Sequence, residues 1–440
     1  MSPSDDELAS RMRELVFDGL LGPRNNRAIT WDIVSQDSST STFIAALISP
    51  TAGFDEPIER HLIQMSKADG TVVSTRPVSL SIEEASDMFR YAGLGPVTRI
   101  VRLSDGVFGV TYKASTQDDG DAEFVVQLRY HGNVTSMNTI LHHIHQTIQD
   151  ELPVPRAFDI QPKSSCGLGV QISEFVPGRS GFDAYYRLDV QDRVPIVQQI
   201  ARAFDALWSI RLQRLCPSDA IGEAVAHESQ SAPSQIVVTV GRDRENNIGG
   251  PFESTTDYLK AWITHRLAAL RAQREIDEYK ARLLSQIESF VEKKLDTIPS
   301  EVDQVPIVLQ HTDMGLHNMI LSDEQPTKLK AVIDWEFTYL LPFPTAIPRL
   351  IESLFRREAA VSTIQDPWDG ADTLADTFWG AIPDWKKRME TPAARSFLSW
   401  YEFGLYLKAD AVPGRRAEDG DKFWRDNIVK VEQFLQKASL

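Results

Sequence analysis

The chain has 440 residues, a formal net charge of −16, and hydrophobic and charged fractions of 42% and 25%. This is the balance of a folded protein with room for two or three compact units. The excess of acid excludes nucleic acid and anionic membrane surfaces as principal partners, because both select basic faces. Only two cysteines, Cys166 and Cys216, are present, which excludes a disulfide framework. No apolar run is long enough to span a bilayer, and the N-terminus lacks a basic, apolar leader, so the expected location is the cytoplasm.

Ser4-Asp5-Asp6-Glu7 reads as a helix start ahead of Leu8, Met12, Leu15 and Val16. Ser35 to Thr42 reads as a polar loop, and Gln64 to Val78 as a small hairpin turning at Gly70. Residues 1–80 are expected to form an extension packed on the unit that follows. Ser81-Ile-Glu-Glu84 is a capping box for a short helix. Strands are expected from Val97 to Ser104, Val110 to Ala114 and Glu123 to Arg129. Gly106 and Gly109 lie in the turn between the first two, where backbone amides can approach an anion without side-chain clash. The helix from Val134 to Gln149 carries His142, His143 and His145, but only His142 and His145 share a face and no third ligand is evident, so it reads as solvated or partly packed. Leu152-Pro-Val-Pro155 ends it. Strands at Ala157–Ile160 and Leu168–Val176 follow, stopped by Pro177-Gly178.

Val190 to Leu212 has apolar residues at helical spacing, among them Val197, Ile200, Phe204 and Trp208. Pro217 to Pro251 reads as an irregular insertion with one strand near Gln235–Val240. Helices are expected after Ser254, over Glu275–Leu295, near Arg349–Arg357, and over Ala393–Ala409 and Asp421–Ala438. Asp366 to Trp385 holds Trp368, Trp379 and Trp385 with Asp369, Asp372 and Asp376. This segment suits either helix packing or a pocket for a cationic or aromatic ligand.

The segment Val308–Glu336 carries the chemistry. Asn318–Ser322 and Lys330–Asp334 read as an antiparallel hairpin, and pairing Ser322 with Lys330 sets Asn318 opposite Asp334. A carboxamide oxygen and a carboxylate there suit a hard cation such as magnesium. Asp313 precedes them in a loop that Gly315 allows to curl back.

His311-Thr-Asp313-Met-Gly-Leu-His-Asn318 and Ile333-Asp334-Trp335-Glu336 together resemble the catalytic segment of the aminoglycoside phosphotransferase and choline kinase family, whose patterns are H-x-D-x-x-x-x-N and I-D-[WFY]-[ED]. The resemblance implies an α+β, bilobal protein-kinase-like fold. Residues 81–176 would form a small ATP-binding lobe with an antiparallel sheet, and 177–440 a larger, mainly helical lobe. It implies ATP and Mg²⁺ as cofactors and a small-molecule hydroxyl acceptor. Asp313 would orient and deprotonate that hydroxyl, His311 would brace the loop, and Asn318 and Asp334 would hold the metal. Gly106 and Gly109 would cover the phosphates, and adenine would bond to backbone near Glu174 and Val176. One departure stands out. Gln127 occupies the position of the phosphate-binding lysine, with Arg129 the nearest cation, and the following helix offers no glutamate. Either Arg129 reaches the phosphates, or catalysis is weak, or the site binds nucleotide differently, and a nucleotide-binding pseudokinase is the rival reading that this departure supports. A metal-dependent hydrolase with His311, Asp313, His317 and Asp334 as ligands is a third reading.

Overall fold

The computed structural model describes residues 28–36, 40–48, 59–66, 72–105, 109–117, 122–129, 134–159, 168–210, 220–228, 236–243, 246–272, 277–355, 370–407 and 417–438. The expected helix after Ser4, the Gly70 turn, Gly106, both cysteines, Trp368 and Asp369 lie outside them. The chain divides into two compact units, Met1–Val134 with Arg156–Phe175, and Thr135–Pro155 with Val176–Leu440.

The first unit opens with an antiparallel four-stranded sheet, β1 (Ala28–Gln36), β2 (Thr40–Ile48), β3 (Glu59–Ser66) and β4 (Val72–Pro77), in sequential order. Ser35 and Gln36 pair with Thr42 and Ser41. The two ends of the polar run expected as a loop are therefore strand, and its centre lies outside the described residues. In helix α1 (Ile82–Tyr91), Ser81 Oγ accepts from the Glu84 amide at 3.1 Å, as the capping box requires, and Ala85, Met88 and Phe89 are buried.

A second antiparallel sheet joins β5 (Val97–Asp105), β6 (Gly109–Thr116), β7 (Glu123–Arg129), β8 (Ala157–Phe158) and β9 (Gly169–Glu174) in the order β5-β6-β7-β9-β8. Strand alternation splits its side chains cleanly. Val110, Tyr112, Ala114, Phe124, Val126, Leu128, Val170 and Ile172 share a core with α1, where the Phe89 and Phe124 rings meet edge-on at 5.2 Å. Lys113, Val125, Gln127, Arg129 and Gln171 alternate with these residues and take the other face.

The second unit is mainly helical. Helix α2 (Val134–Thr147) keeps His142 and His143 half-buried and His145 exposed. Helix α3 (Val190–Trp208) buries Ile196, Val197, Ile200, Phe204, Leu207 and Trp208, the face its periodicity marks. Two sheets flank the chemistry. One is β12-β11-β16-β13, from β11 (Gly222–Glu228), β12 (Ile236–Gly241), β13 (Ile307–His311) and β16 (Thr338–Pro342); the other is β10-β14-β15, from β10 (Arg179–Ser180), β14 (Met319–Leu321) and β15 (Leu329–Val332). Within the expected insertion, β11 and β12 form a hairpin that pairs onto β16 through Glu223 and Tyr339. Helices α4 (Thr255–Ala272), α5 (Asp277–Lys294), α6 (Ala371–Ala381), α7 (Pro383–Met389), α8 (Pro392–Leu407) and α9 (Ala417–Ala438) complete the unit. Trp385 is a packing residue: it is buried, its ring lies 5.1 Å from those of Trp208 and Phe343, and its Nε1 donates to Asp205 at 2.9 Å. Among the described residues, no helix is long and apolar enough to cross a membrane.

Candidate active site

Strand β13 delivers His311 to the end of its sheet. The buried imidazole then braces two segments at once: Nε2 lies 3.0 Å from the Ile333 carbonyl, and the Asp313 amide donates to Nδ1 at 3.3 Å. A carbonyl can only accept and an amide N–H only donate, so the proton sits on Nε2 and the ring is neutral. Burial holds its pKa below the usual histidine value despite the bond to Ile333 and the pull of nearby carboxylates. The Trp335 ring packs 4.8 Å from it, while Trp335 Nε1 donates to the Val332 carbonyl at 3.0 Å.

Asp313 lies in the tight turn after His311, where the Gly315 amide reaches back to the Asp313 carbonyl at 2.7 Å. Both of its carboxylate oxygens are engaged. Asn318 Nδ2 donates to Oδ2 at 3.0 Å and to the Asp313 carbonyl at 2.9 Å, and His317 Nε2 sits 3.1 Å from Oδ1. Burial pushes the Asp313 carboxyl up, but the hydrogen bond and charge of His317, aided by His311 and Asn318, hold it below the usual carboxylate range. His317 moves the opposite way, raised chiefly by its hydrogen bond to Asp313 against some burial. His317 was expected only as a hydrolase ligand; its contact with Asp313 follows from the i,i+4 spacing across a short 3₁₀ turn, Leu316–Asn318. A Cβ at Gly315 would come within 2.7 Å of the His317 ring, so a larger residue there would push that ring away from Asp313.

The hairpin is present, with its register displaced from expectation. Met319 pairs with Val332 and Ile320 with Ala331, and a bulge separates Ile320 from Leu321. The Ile333 amide donates to the Asn318 carbonyl at 2.9 Å, so Asn318 lies opposite Ile333 and Asp334 falls one residue beyond. There the backbone turns sharply, Asp334 taking φ = +65°, a left-handed conformation that aspartate tolerates better than most residues. With Nδ2 spent on Asp313, the Asn318 amide has its oxygen left as a ligand atom. This oxygen and the Asp334 carboxylate are hard oxygen donors of the kind that could hold Mg²⁺. Among the described residues, no group of three or more His, Cys, Asp or Glu side chains gathers as a metal cage. His311 also has both ring nitrogens committed, so the hydrolase reading lacks its ligand set.

The remaining expected residues lie on the five-stranded sheet and just past it. Gly109 begins β6, where a Cβ would approach the Leu128 carbonyl to 2.7 Å. Arg129 donates from Nη2 to Gln127 and from Nε to Gln171. Glu174 is exposed at the end of β9, and the boundary between the compact units falls between Phe175 and Val176.

Several solved structures are similar to the chain at low identity. An aminoglycoside phosphotransferase from Alicyclobacillus acidocaldarius is 12% identical over 82% of this chain and 96% of its own, with a TM-score of 0.46. A gentamicin complex of an aminoglycoside 2″-phosphotransferase is 14% identical over 81% and 97%, with a TM-score of 0.44. A spectinomycin phosphotransferase bound to ADP and spectinomycin is 11% identical over 82% and 100%, with a TM-score of 0.43. A search of curated proteins returns no significant match. The sequence pattern of the phosphotransferase enzyme family matches residues 99–343, more than half of the chain, and spans both catalytic motifs. The α+β architecture of an antiparallel-sheet unit and a mainly helical unit is the one that the two motifs imply, and the chain belongs to the phosphotransferase enzyme family.

Proposed function

We propose that the chain is an ATP- and Mg²⁺-dependent phosphotransferase that moves the γ-phosphoryl group to a hydroxyl of a small molecule. The observation that carries this reading is Asp313: a carboxylate kept ionised by His317, with Asn318 fixing its second oxygen. An ionised carboxylate can accept a hydrogen bond from an alcohol, align its oxygen for in-line attack, and take the proton as the new P–O bond forms. His311 holds the backbone of that base to Ile333, one residue before Asp334. Asn318 and Asp334 would hold Mg²⁺, which neutralises charge on the phosphates when bound. Gly109, and Gly106 with it, would lie over the phosphates, and the backbone near Glu174 and Val176 would bond adenine.

The pseudokinase reading has one observation in its favour. The cation expected to replace the missing lysine, Arg129, already donates to two glutamines. Calorimetric titration of a non-hydrolysable ATP analogue, with and without Mg²⁺, into wild type and Asp334→Ala separates the two. Magnesium-dependent binding that disappears in the variant supports the phosphotransferase and justifies an acceptor screen for ADP release. Binding indifferent to magnesium favours the pseudokinase, and absence of binding removes the nucleotide site altogether.

A further inference from the structure

On the face of the five-stranded sheet opposite its apolar core, Gln127 and Gln171 are direct cross-strand partners on β7 and β9. Arg129, two residues along β7, projects to the same side. It is only 5% exposed, and its Nη2 donates to Gln127 Oε1 at 2.7 Å while Nε donates to Gln171 Oε1 at 3.1 Å. A guanidinium has donors and no acceptor, so it dictates how both amides are turned: oxygens toward Arg129, NH₂ groups away from it. Gln171 is buried, whereas Gln127 is half-open to solvent. A second cation of this face, Lys113, is committed elsewhere, its Nζ 2.6 Å from Glu123 Oε1 and 4.0 Å above the Phe175 ring.

The geometry points to the Gln127 NH₂ group as the contact for the phosphate oxygens of the nucleotide, with Arg129 as a positioning residue that orients and polarises that amide from behind. This rests on the nucleotide reading above. An amide whose carbonyl accepts from a cation becomes a stronger donor through its own NH₂, so the buried positive charge is felt one group further out. The lysine of the family pattern is thereby replaced by a neutral donor and a concealed charge, and no acidic partner on the next helix is needed to hold an ammonium in place. Arg129 itself has no reason to reach the phosphates, since two of its nitrogens are spent on the glutamines.

The test is binding of ATP and of adenosine, each with Mg²⁺, to the full chain and to Q127E, Q127A, R129Q and the Q127A/R129Q double variant. Q127E retains an acceptor for Arg129, so its melting temperature should not fall, but it removes the NH₂ donors and adds a negative charge. ATP should bind roughly 100-fold more weakly or worse, with adenosine unaffected, as expected from losing a charge-assisted hydrogen bond and gaining repulsion. Q127A and R129Q should each weaken ATP by roughly tenfold, again sparing adenosine, and the double variant should be no weaker than Q127A, because both act through one amide. Wild-type ATP affinity in Q127E, or additive losses in the double variant, would overturn the inference, the latter because Arg129 would then touch phosphate directly. Should wild type bind neither ATP nor adenosine, the nucleotide reading itself fails; if it binds both and Q127E changes nothing, only this inference falls.

Discussion

Gln199 on α3 ties the catalytic hairpin to its supporting helix with a single side chain. Its Nε2 donates to the Thr327 carbonyl at 2.7 Å, and its Oε1 accepts from the Leu329 amide at 3.1 Å. One amide thus imitates a strand partner for the start of β15, the strand that leads to Asp334. Gln199→Met keeps length and volume while removing both bonds to the hairpin, along with the bond that Nε2 donates to the Pro195 carbonyl within α3 at 2.8 Å. Two net hydrogen bonds are worth about 2 kcal/mol together, and stranding the N–H of buried Leu329 adds about 1 kcal/mol more, since the half-buried Thr327 carbonyl can still find water. A melting curve would register the loss without locating it in this hairpin. Hydrogen exchange of peptides covering residues 316–335 is direct: a loss of about 3 kcal/mol predicts exchange faster by roughly 150-fold in this segment, with the five-stranded sheet of the other unit unchanged. Unaltered exchange around Leu329 would show that α3 does not hold the hairpin, and would refute the reasoning.

Other consequences follow from single contacts. The Glu402 carboxyl is pushed up to about 7 by burial and by Glu352. The folded chain therefore holds a proton that the unfolded chain has already released, and stability falls as pH rises from the ordinary glutamate range through 7. Glu402→Gln should raise stability by about 1–2 kcal/mol at pH 8, after discounting for partial exposure, and by little near pH 4.5; equal gains at both would contradict this in thermal melts. Trp335→Phe removes the Nε1 bond to the Val332 carbonyl and leaves a cavity where the larger indole is buried, so it should cost about 2–3 kcal/mol by denaturant titration. Gly181→Ala would drive a Cβ to 2.7 Å from the Leu316 carbonyl and 3.3 Å from Met319, so a lower melting temperature is expected, with the Asp313 loop displaced; wild-type stability would show that the loop can yield. Asp334→Asn should fold as well as wild type, whereas Asp334→Ala should lose about 1 kcal/mol for its left-handed backbone, a difference that melting curves of the two variants resolve.

Much of the catalytic unit was legible because its chemistry is local in sequence. Asp313 and Asn318 lie within one turn, and His311 reaches Asp313 across two residues. The hairpin was also readable, but not its register: the bulge between Ile320 and Leu321 shifts the pairing, and nothing in alternating apolar residues announces a bulge. Strand β16 escaped for a different reason. Thr338 to Pro342 are all buried, so the strand has no polar face and no period-two signal. Helix α1 was fixed by its capping box, whereas β1 and β2 were hidden by a Ser/Thr-rich junction. The Gln127–Arg129–Gln171 trio could not be read at all, because Gln171 arrives from a strand 42 residues away. The departure at Gln127 was visible in sequence; its remedy required the fold.

The His311 ring, described above as a brace, also acts as a ruler. One nitrogen is fastened to the Asp313 backbone and the other to the Ile333 carbonyl, so a flat, incompressible heterocycle sets the gap between Asp313 and the segment that ends at Asp334. Springy side chains would let a ligand draw the two arms together; an aromatic spacer will not. On the proposed function, acceptors and metal-bound phosphates would have to match a gap fixed in advance, and selection among them would be a matter of size tolerance as much as of charge.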